Sequence, residues 1–396
     1  MADEPFVLDD SDRYGGLHLI GWWDQRRLTA ARVLVVGAGA LGNEVLKNLA
    51  LLGIGTIDLI DFDRIENSNL SRSVLFRGQD AGQSKALVAA ARVRELNPAV
   101  TIRPIDGNVM TEIGLGSVRA ADVVIGCLDN REARLWVNRM CWKVGTPWID
   151  GGIQEINGVA KVFIPPDGPC YECGMTDTDY RLINLRYSCP LLKQSDLQQG
   201  KVPTAPTIAS IIAGLQVQEA LKLLHGLPVG EMTAIVFNGV ANRMYQTRYP
   251  VRPDCLSHET YDPIVDVALS RQATVIELLR QLESGGAEAA GAVDPQTELV
   301  LDRDLVTTLR CGGCELEVSA GRTQFELDYA EAMCPKCRQP MQPAMIHRLG
   351  RSHPLATRTL AELGIPDFDI VKVERGGVMS YHQLQAESEF QQNRSS

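Results

Sequence analysis

Two sets of residues in this 396-residue chain have the types and spacing for chemistry. The first opens with the glycine loop Gly37-Ala38-Gly39-Ala40-Leu41-Gly42, followed downstream by Asp61 and Asp63. Gly37, Gly39 and Gly42 allow a tight turn and close backbone approach, and a helix N-terminus behind them offers free N–H groups to phosphate. Asp61 stands where an acid accepts bonds from ribose hydroxyls. Arg72, Lys85 and Asp129 follow. Singly, each reads as a solvated loop charge; jointly they suit phosphoryl chemistry, with Asp129 for Mg²⁺ and the two cations countering phosphate charge. The second set is cysteine. Cys170/Cys173, Cys311/Cys314 and Cys334/Cys337 are CxxC pairs. The last two pairs, nineteen residues apart, have the spacing of a Cys₄ zinc ribbon. Their Gly-Gly and Pro-Lys interiors do not fit a redox CxxC, which needs a strand-to-helix setting.

Stepping out to the elements that position these groups, Val33–Val36 is a continuous apolar run, the pattern of a strand buried on both faces. Leu41, Val45, Leu49 and Leu52 recur at helical spacing, and Thr56–Ile60 is a second strand ending at Asp61-Phe62-Asp63. A helix is expected over Lys85–Leu96, strands over Thr101–Ile105, Ala121–Cys127 and around Trp148–Asp150, and helices over Glu132–Cys141 and Ala205–Leu224. Strands alternating with helices predict an α/β fold, a mainly parallel Rossmann-like sheet with helices on both faces. The polar residues at strand ends then fall on the side where ligands sit in such sheets. The expected domains are an arm (1–30), a nucleotide-binding domain (31–262) and a C-terminal α+β region (263–396) with the ribbon at about 305–345. In that last region Val275–Leu282 and Leu355–Leu363 read as helices, Asp369–Glu374 as a strand, Glu283 to Pro295 as a linker, and Gln383 onward as a frayed tail.

A formal net charge of −10 argues against nucleic-acid and anionic-membrane partners. The N-terminus is acidic where a signal peptide is basic, and no uninterrupted apolar run reaches bilayer length, so a cytoplasmic protein is expected. Ten cysteines in a reducing compartment point to metal rather than disulfides. Cys127 and Cys141, in the expected strand and helix, read as small buried hydrophobes. Trp22 and Trp23 read as packing. His18, His225, His347, His353 and His382 show no spacing that pairs them with an acid or a nucleophile.

GAGALG, DFDRIENSNLSR, the GQSK before the first long helix, CLDNREAR, DGGIQEINGVAKVFIPPDGPCYEC and APTIASIIAGLQVQEALKLL together resemble the ThiF/MoeB/HesA family, relatives of ubiquitin-activating enzymes. The resemblance spans about residues 11–258 and keeps family order and spacing. It implies a ThiF-type adenylation fold that uses ATP and Mg²⁺ to adenylate the C-terminal glycine of a ubiquitin-like protein. By motif, Asp61 would hold the ribose, Asn69, Arg72 and Lys85 the phosphates, and Asp129 the Mg²⁺. Arg13 resembles the family arginine that reaches into the partner's site in a homodimer, although Gly15-Gly16 here replace a common Arg-Gln. The family's first zinc site would join Cys170 and Cys173 to Cys255, with His258 in place of the usual fourth cysteine. Zinc accepts Cys₃His. Two Zn²⁺ per chain are therefore expected, both structural.

Cys189 is the cysteine left over. It falls in the polar stretch 174–204, which matches the family's crossover loop, where many members carry a functional cysteine. Arg186 and Lys193 nearby favour a thiolate. On this resemblance Cys189 would attack the acyl-adenylate and pass the modifier to a conjugating enzyme. The alternatives are activation of a sulfur carrier for molybdopterin or thiamin synthesis without conjugation, an NAD-dependent oxidoreductase on the same loop, and a non-catalytic scaffold.

Overall fold

The apolar run at Val33 folds as β1 (Arg32–Val36), and its burial on both faces follows from its position. It pairs in parallel with β2 (Thr56–Asp61) on one side and β4 (Val123–Gly126) on the other. The computed structural model describes residues 12–188, 203–230, 233–284, 297–327 and 330–387. They fall into two compact units. Unit 1 takes its residues from the ranges Met1–Gly107, Ala120–Gly174 and Val202–His258, and unit 2 from Asn108–Arg119, Met175–Lys201 and Glu259–Ser396.

Unit 1 is an eight-stranded sheet in the order β3-β2-β1-β4-β5-β6-β7-β8, where β3 is Thr101–Asp106, β5 Trp148–Gln154, β6 Asn157–Phe163, β7 Thr233–Asn238 and β8 Arg243–Arg248. The first four pairings are parallel and the last three antiparallel. Strand order reverses between β1 and β4, so the loops leaving these two strands diverge around the crevice where such sheets bind ligands. Helix α1 (Gln25–Ala30) precedes the sheet, α2 (Ala40–Leu52) links β1 to β2, and α3 (Lys85–Leu96) leads into β3. The chain then forms α4 (Val109–Glu112) and α5 (Leu115–Arg119), which belong to unit 2, before returning as β4 and α6 (Arg131–Val144). Val33, Val35, Leu46, Leu49, Ile57, Leu59, Val123 and Ile125 anchor one continuous core.

The stretch expected to be a loop over 174–204 contains a helix, α7 (Asp177–Ser188). Cys189 and Lys193 lie outside the described residues. Helix α8 (Pro206–His225) overturns the expectation that no segment is long and apolar enough to cross a membrane: by length and composition alone its twenty residues suffice. The expectation counted uninterrupted runs, which Gln216, Gln218 and Glu219 break. Half of the helix is buried, with Ile208, Ile212, Ala213 and Val217 packed against α2, β5 and β6, as in a core helix.

Unit 2 packs α9 (Val275–Ser284) on a sheet ordered β11-β10-β13-β14-β9, with β12 also beside β10. These strands are β9 (Ile264–Val267), β10 (Glu298–Cys311), β11 (Glu317–Thr323), β12 (Met341–Gly350), β13 (Ile370–Arg375) and β14 (Val378–Leu384). Val275, Leu278, Leu279, Leu299, Leu349 and Val373 form its core. The helix expected over Leu355–Leu363 is absent. Only Pro354–Thr357 makes a 3₁₀ turn, because the amides of Leu360 and Ala361 bond Ala273 O (2.9 Å) and Arg271 O (2.8 Å) instead of their own preceding turn. Within this unit α5 is gripped at its start: Leu115 N donates to Asp369 Oδ1 (2.7 Å) and Gly116 N to Phe368 O (2.9 Å). Arg303 Nε reaches Met110 O at 3.1 Å, and its Nη1 pairs with Asp369.

Candidate functional site

The glycine loop is shaped by two contacts that leave no room for a side chain. Gly37 has φ +99°, and a Cβ there would sit 2.6 Å from Cys127 O, at the exit of β4. A Cβ on Gly42 would sit 2.0 Å from Gly37 O. At Gly39, the residue before α2, nothing lies within 4 Å of that position, so the loop is open on the side facing the α2 N-terminus. Its free amides there form an anion-binding end.

Asp61, at the end of β2, holds this loop from below. Its Oδ2 accepts from Ala38 N at 2.6 Å and its Oδ1 from Asp63 N at 2.7 Å. Burial raises the Asp61 carboxyl above its ordinary value, while the Lys85 charge and the two amides act against that shift. Asp63 Oδ2 in turn pairs with Lys85 Nζ at 2.7 Å, and Lys85 N donates to Asp63 O at 3.0 Å. Ser84 caps α3 through its hydroxyl, which starts that helix with Lys85 beside the strand end. Loop, acids and lysine are thus one connected run. Asn69 lies in the 3₁₀ turn Asn67–Arg72, where its Oδ1 accepts from Glu66 N at 2.9 Å. Among the described residues, Arg72 Nη1 donates within that turn, to Ser68 O at 3.1 Å.

Asp129 follows β4, exposed and without a hydrogen-bond partner among the described residues. Asn130 beside it caps α6 by accepting from Ala133 N at 2.7 Å. Residue reading missed what fixes this turn. Arg134 Nε donates to Asp150 Oδ1 at 3.0 Å, and its Nη2 donates to Leu128 O (2.6 Å) and Gly151 O (2.9 Å). One guanidinium therefore ties the Asp129 turn to the middle of β5. Asp150 is 2 % exposed, and burial raises its carboxyl against the pull of Arg134 and Lys161. The signal was available: an acid inside the apolar run Trp148-Ile149-Asp150 demands a buried cation.

Arg13 is not brought to this site. It donates to Leu96 O at 2.9 Å, at the far end of α3 from Lys85, about 16 Å along the helix. Two histidines read as unpaired do meet acids: His18 with Asp12 (3.1 Å) and His347 with Asp304 (2.9 Å). The partners lie six residues away and on a neighbouring strand, distances a short motif does not display, and both are surface pairs of little energetic weight. Trp22 is 42 % exposed and lies edge-on to His225.

The cysteines gather into two four-ligand groups. In unit 1, Cys170, Cys173, Cys255 and His258 have their ligand atoms within 4.8 Å of one another. Cys170 Sγ is 3.8 Å from Cys173 Sγ and 3.4 Å from Cys255 Sγ, and Cys173 Sγ is 3.5 Å from His258 Nε2. In unit 2, Cys311 and Cys337 (3.3 Å) and Cys314 and Cys334 (3.6 Å) close a Cys₄ group. A tetrahedral zinc with sulfur ligands at about 2.3 Å separates those sulfurs by about 3.8 Å, so both groups fit the ion with little adjustment. Four filled positions leave none for a reactant. Around the first group, the buried Glu172 accepts from Arg139 (3.0 Å) and Ser257, and Trp142 stacks on His258. These contacts orient the ligand loops.

Residues 12–257 match the ThiF family. The chain belongs to that family. This ThiF chain is 33 % identical over 257 residues to a SAMP-activating enzyme E1 of Haloferax volcanii, covering 63 % of the chain and 87 % of the relative. It is 33 % identical to a sulfur carrier protein adenylyltransferase of Thermus thermophilus, over 56 % of the chain and 80 % of the relative. The mouse adenylyltransferase and sulfurtransferase MOCS3 is 29 % identical over 91 % of the chain and 82 % of its own length. That similarity runs past residue 258, where the sequence resemblance ended. Among solved structures, Escherichia coli MccB with ATP superposes with a TM-score of 0.52 at 25 % identity, over 63 % of the chain and 74 % of that structure. These relatives support an ATP-dependent, E1-like adenylyltransferase.

Proposed function

We propose that this ThiF protein joins AMP to the C-terminal glycine carboxylate of a ubiquitin-like protein and then holds that protein as a thioester on Cys189. The observation that carries the adenylation step is the hydrogen-bonded run from the glycine loop through Asp61 and Asp63 to Lys85. A carboxylate is a weak nucleophile and is repelled by a triphosphate. As its oxygen forms the bond to the α-phosphorus, the bond to the bridging oxygen breaks and pyrophosphate departs with the electron pair. The α2 amides, Lys85 and Arg72 would counter the charge on the phosphates before and during that step, by electrostatic preorganisation. Asp129, an unpartnered carboxylate at the neighbouring strand exit, would hold Mg²⁺, which supplies further neutralisation of phosphate charge. Asp61 retains lone pairs for the ribose hydroxyls beyond its two amide bonds. Asn69 sits in the turn that presents Arg72 and would bond the phosphates. Arg13, remote from its own site, would act in that of a second copy in a homodimer.

In the second step the Cys189 thiolate attacks the acyl carbonyl, AMP leaves, and a conjugating enzyme's cysteine takes the acyl group by exchange. Both zinc sites are structural, and the reactions belong in the cytoplasm. A hydride-transfer reading finds no role for Arg72, Lys85 and Asp129. A sulfur-carrier reading is favoured by the names of the Thermus and mouse relatives, and by the reach of the mouse similarity into the C-terminal third. The test incubates the full chain with ATP, Mg²⁺ and a candidate ubiquitin-like protein, followed by non-reducing gels. An adduct that thiol releases and Cys189→Ala lacks is the expected result. Adenylation without such an adduct would move the assignment to sulfur-carrier activation.

A further inference from the structure

Asn43 lies one residue beyond the glycine loop, in the first turn of α2, and its side chain is fully buried. A buried carboxamide is tolerated only where its polar atoms find partners. Here they do, and the choice of partners is informative. Nδ2 donates to Ala38 O at 2.7 Å and to Gly39 O at 3.0 Å, both in the glycine loop. Oδ1 accepts from Leu75 N at 2.9 Å, three residues past Arg72. One rigid planar group thus bridges the loop that faces the phosphates and the segment that carries the arginine. The Ala38 peptide is held from both ends, its carbonyl by Asn43 and its amide by Asp61. Among the described residues the Arg72 guanidinium bonds its own turn, so where it points depends on where that segment is anchored.

We infer that Asn43 is a positioning residue for the phosphate chain: it sets the Arg72 segment against the glycine loop, so that the α2 amides and the guanidinium address the same triphosphate. The inference rests on the ATP reading above. An apolar residue of similar size would fill the space and keep α2 folded, but would leave the two segments without a fixed spacing.

The test is a double-mutant cycle on the full-length chain, titrating ATP with Mg²⁺ by calorimetry against wild type, Asn43→Ala, Arg72→Ala and the double variant. If Asn43 acts through Arg72, each single change weakens ATP binding by about 10-fold, and the double variant lies within about 3-fold of the weaker single. A residue that merely supports the fold gives losses that multiply, which overturns the inference; so does an Asn43→Ala chain that binds ATP as wild type does. A wild type that binds no ATP overturns the adenylation reading as well. Should Asn43→Ala fail to fold, Asn43→Asp takes its place in the same cycle, since it preserves volume and the acceptor for Leu75 while losing both donors.

Discussion

Replacing Arg134 with methionine removes a charge from the interior of unit 1 while keeping most of the aliphatic volume. The wild-type guanidinium bonds Asp150 Oδ1 at 3.0 Å, Leu128 O at 2.6 Å and Gly151 O at 2.9 Å, and also the Tyr171 side chain. The variant leaves a nearly inaccessible carboxylate without its ion-pair partner, and breaking a buried pair from one side costs about 3–5 kcal/mol. Lys161, also near Asp150, places the expectation at the lower end of that range. At about 2–4 °C per kcal/mol for a unit of this size, unit 1 should melt about 6–12 °C lower. Acidity supplies a second arm. Burial already raises the Asp150 carboxyl, and loss of the guanidinium raises it further. A carboxyl whose folded pKa is raised destabilises the fold above that pKa, and the cost fades as pH falls toward its ordinary value of about 3.9. The gap between Arg134→Met and wild type should therefore be narrower at pH 5 than at pH 8 in thermal melts followed by circular dichroism. A gap below about 1 kcal/mol at pH 8, or one that widens on acidification, would refute the account of this pair.

Three further outcomes are expected. Asp129→Ala should abolish ATP–pyrophosphate exchange while moving the melting temperature by less than about 2 °C, because the side chain is exposed and unbonded; normal exchange would remove it from the metal role. Gly42→Ala puts a methyl 2.0 Å from Gly37 O, so the loop must shift, and ATP affinity measured by calorimetry should fall by at least about 10-fold; an unchanged affinity would mean that the loop is not the phosphate cradle. Elemental analysis should return about two zinc ions per chain, and Cys337→Ser, at the exposed ligand of the unit 2 group, about one. A wild-type value of one would eliminate a proposed site.

What could be read from residues alone was what lies close along the chain. The run Val33–Asp63 announces strand, turn, helix, strand and acid in order, and α3 occupies the expected Lys85–Leu96. Paired CxxC spacings located the unit 2 group, and family likeness brought Cys255 and His258 into the other. Contacts made at long range were not legible. Arg134 meets Asp150 only because β5 lies alongside, and Asn43 meets Leu75 across 32 residues, so neither partner is adjacent in the chain. The failure over Leu355–Leu363 has the same origin. Helical spacing was present, but amides recruited by residues 271–273 were withdrawn from any helix.

The gripping of α5 by Asp369 and Phe368 has a consequence for synthesis. The two bonded partners Leu115 and Asp369 are separated by 254 positions. At about 5–20 residues per second, a ribosome delivers the second about 13–50 s after the first. During that interval the segment 108–119 has been made while its mate has not yet been translated. A stop codon after His258 would make that orphanhood permanent, exposing Gly114 and Gly116, whose closeness to the 367–369 backbone admits no side chain. The C-terminal third is thus a late-arriving half of a joint begun before the nucleotide fold is complete, and deleting it leaves an open socket in the middle of the gene product.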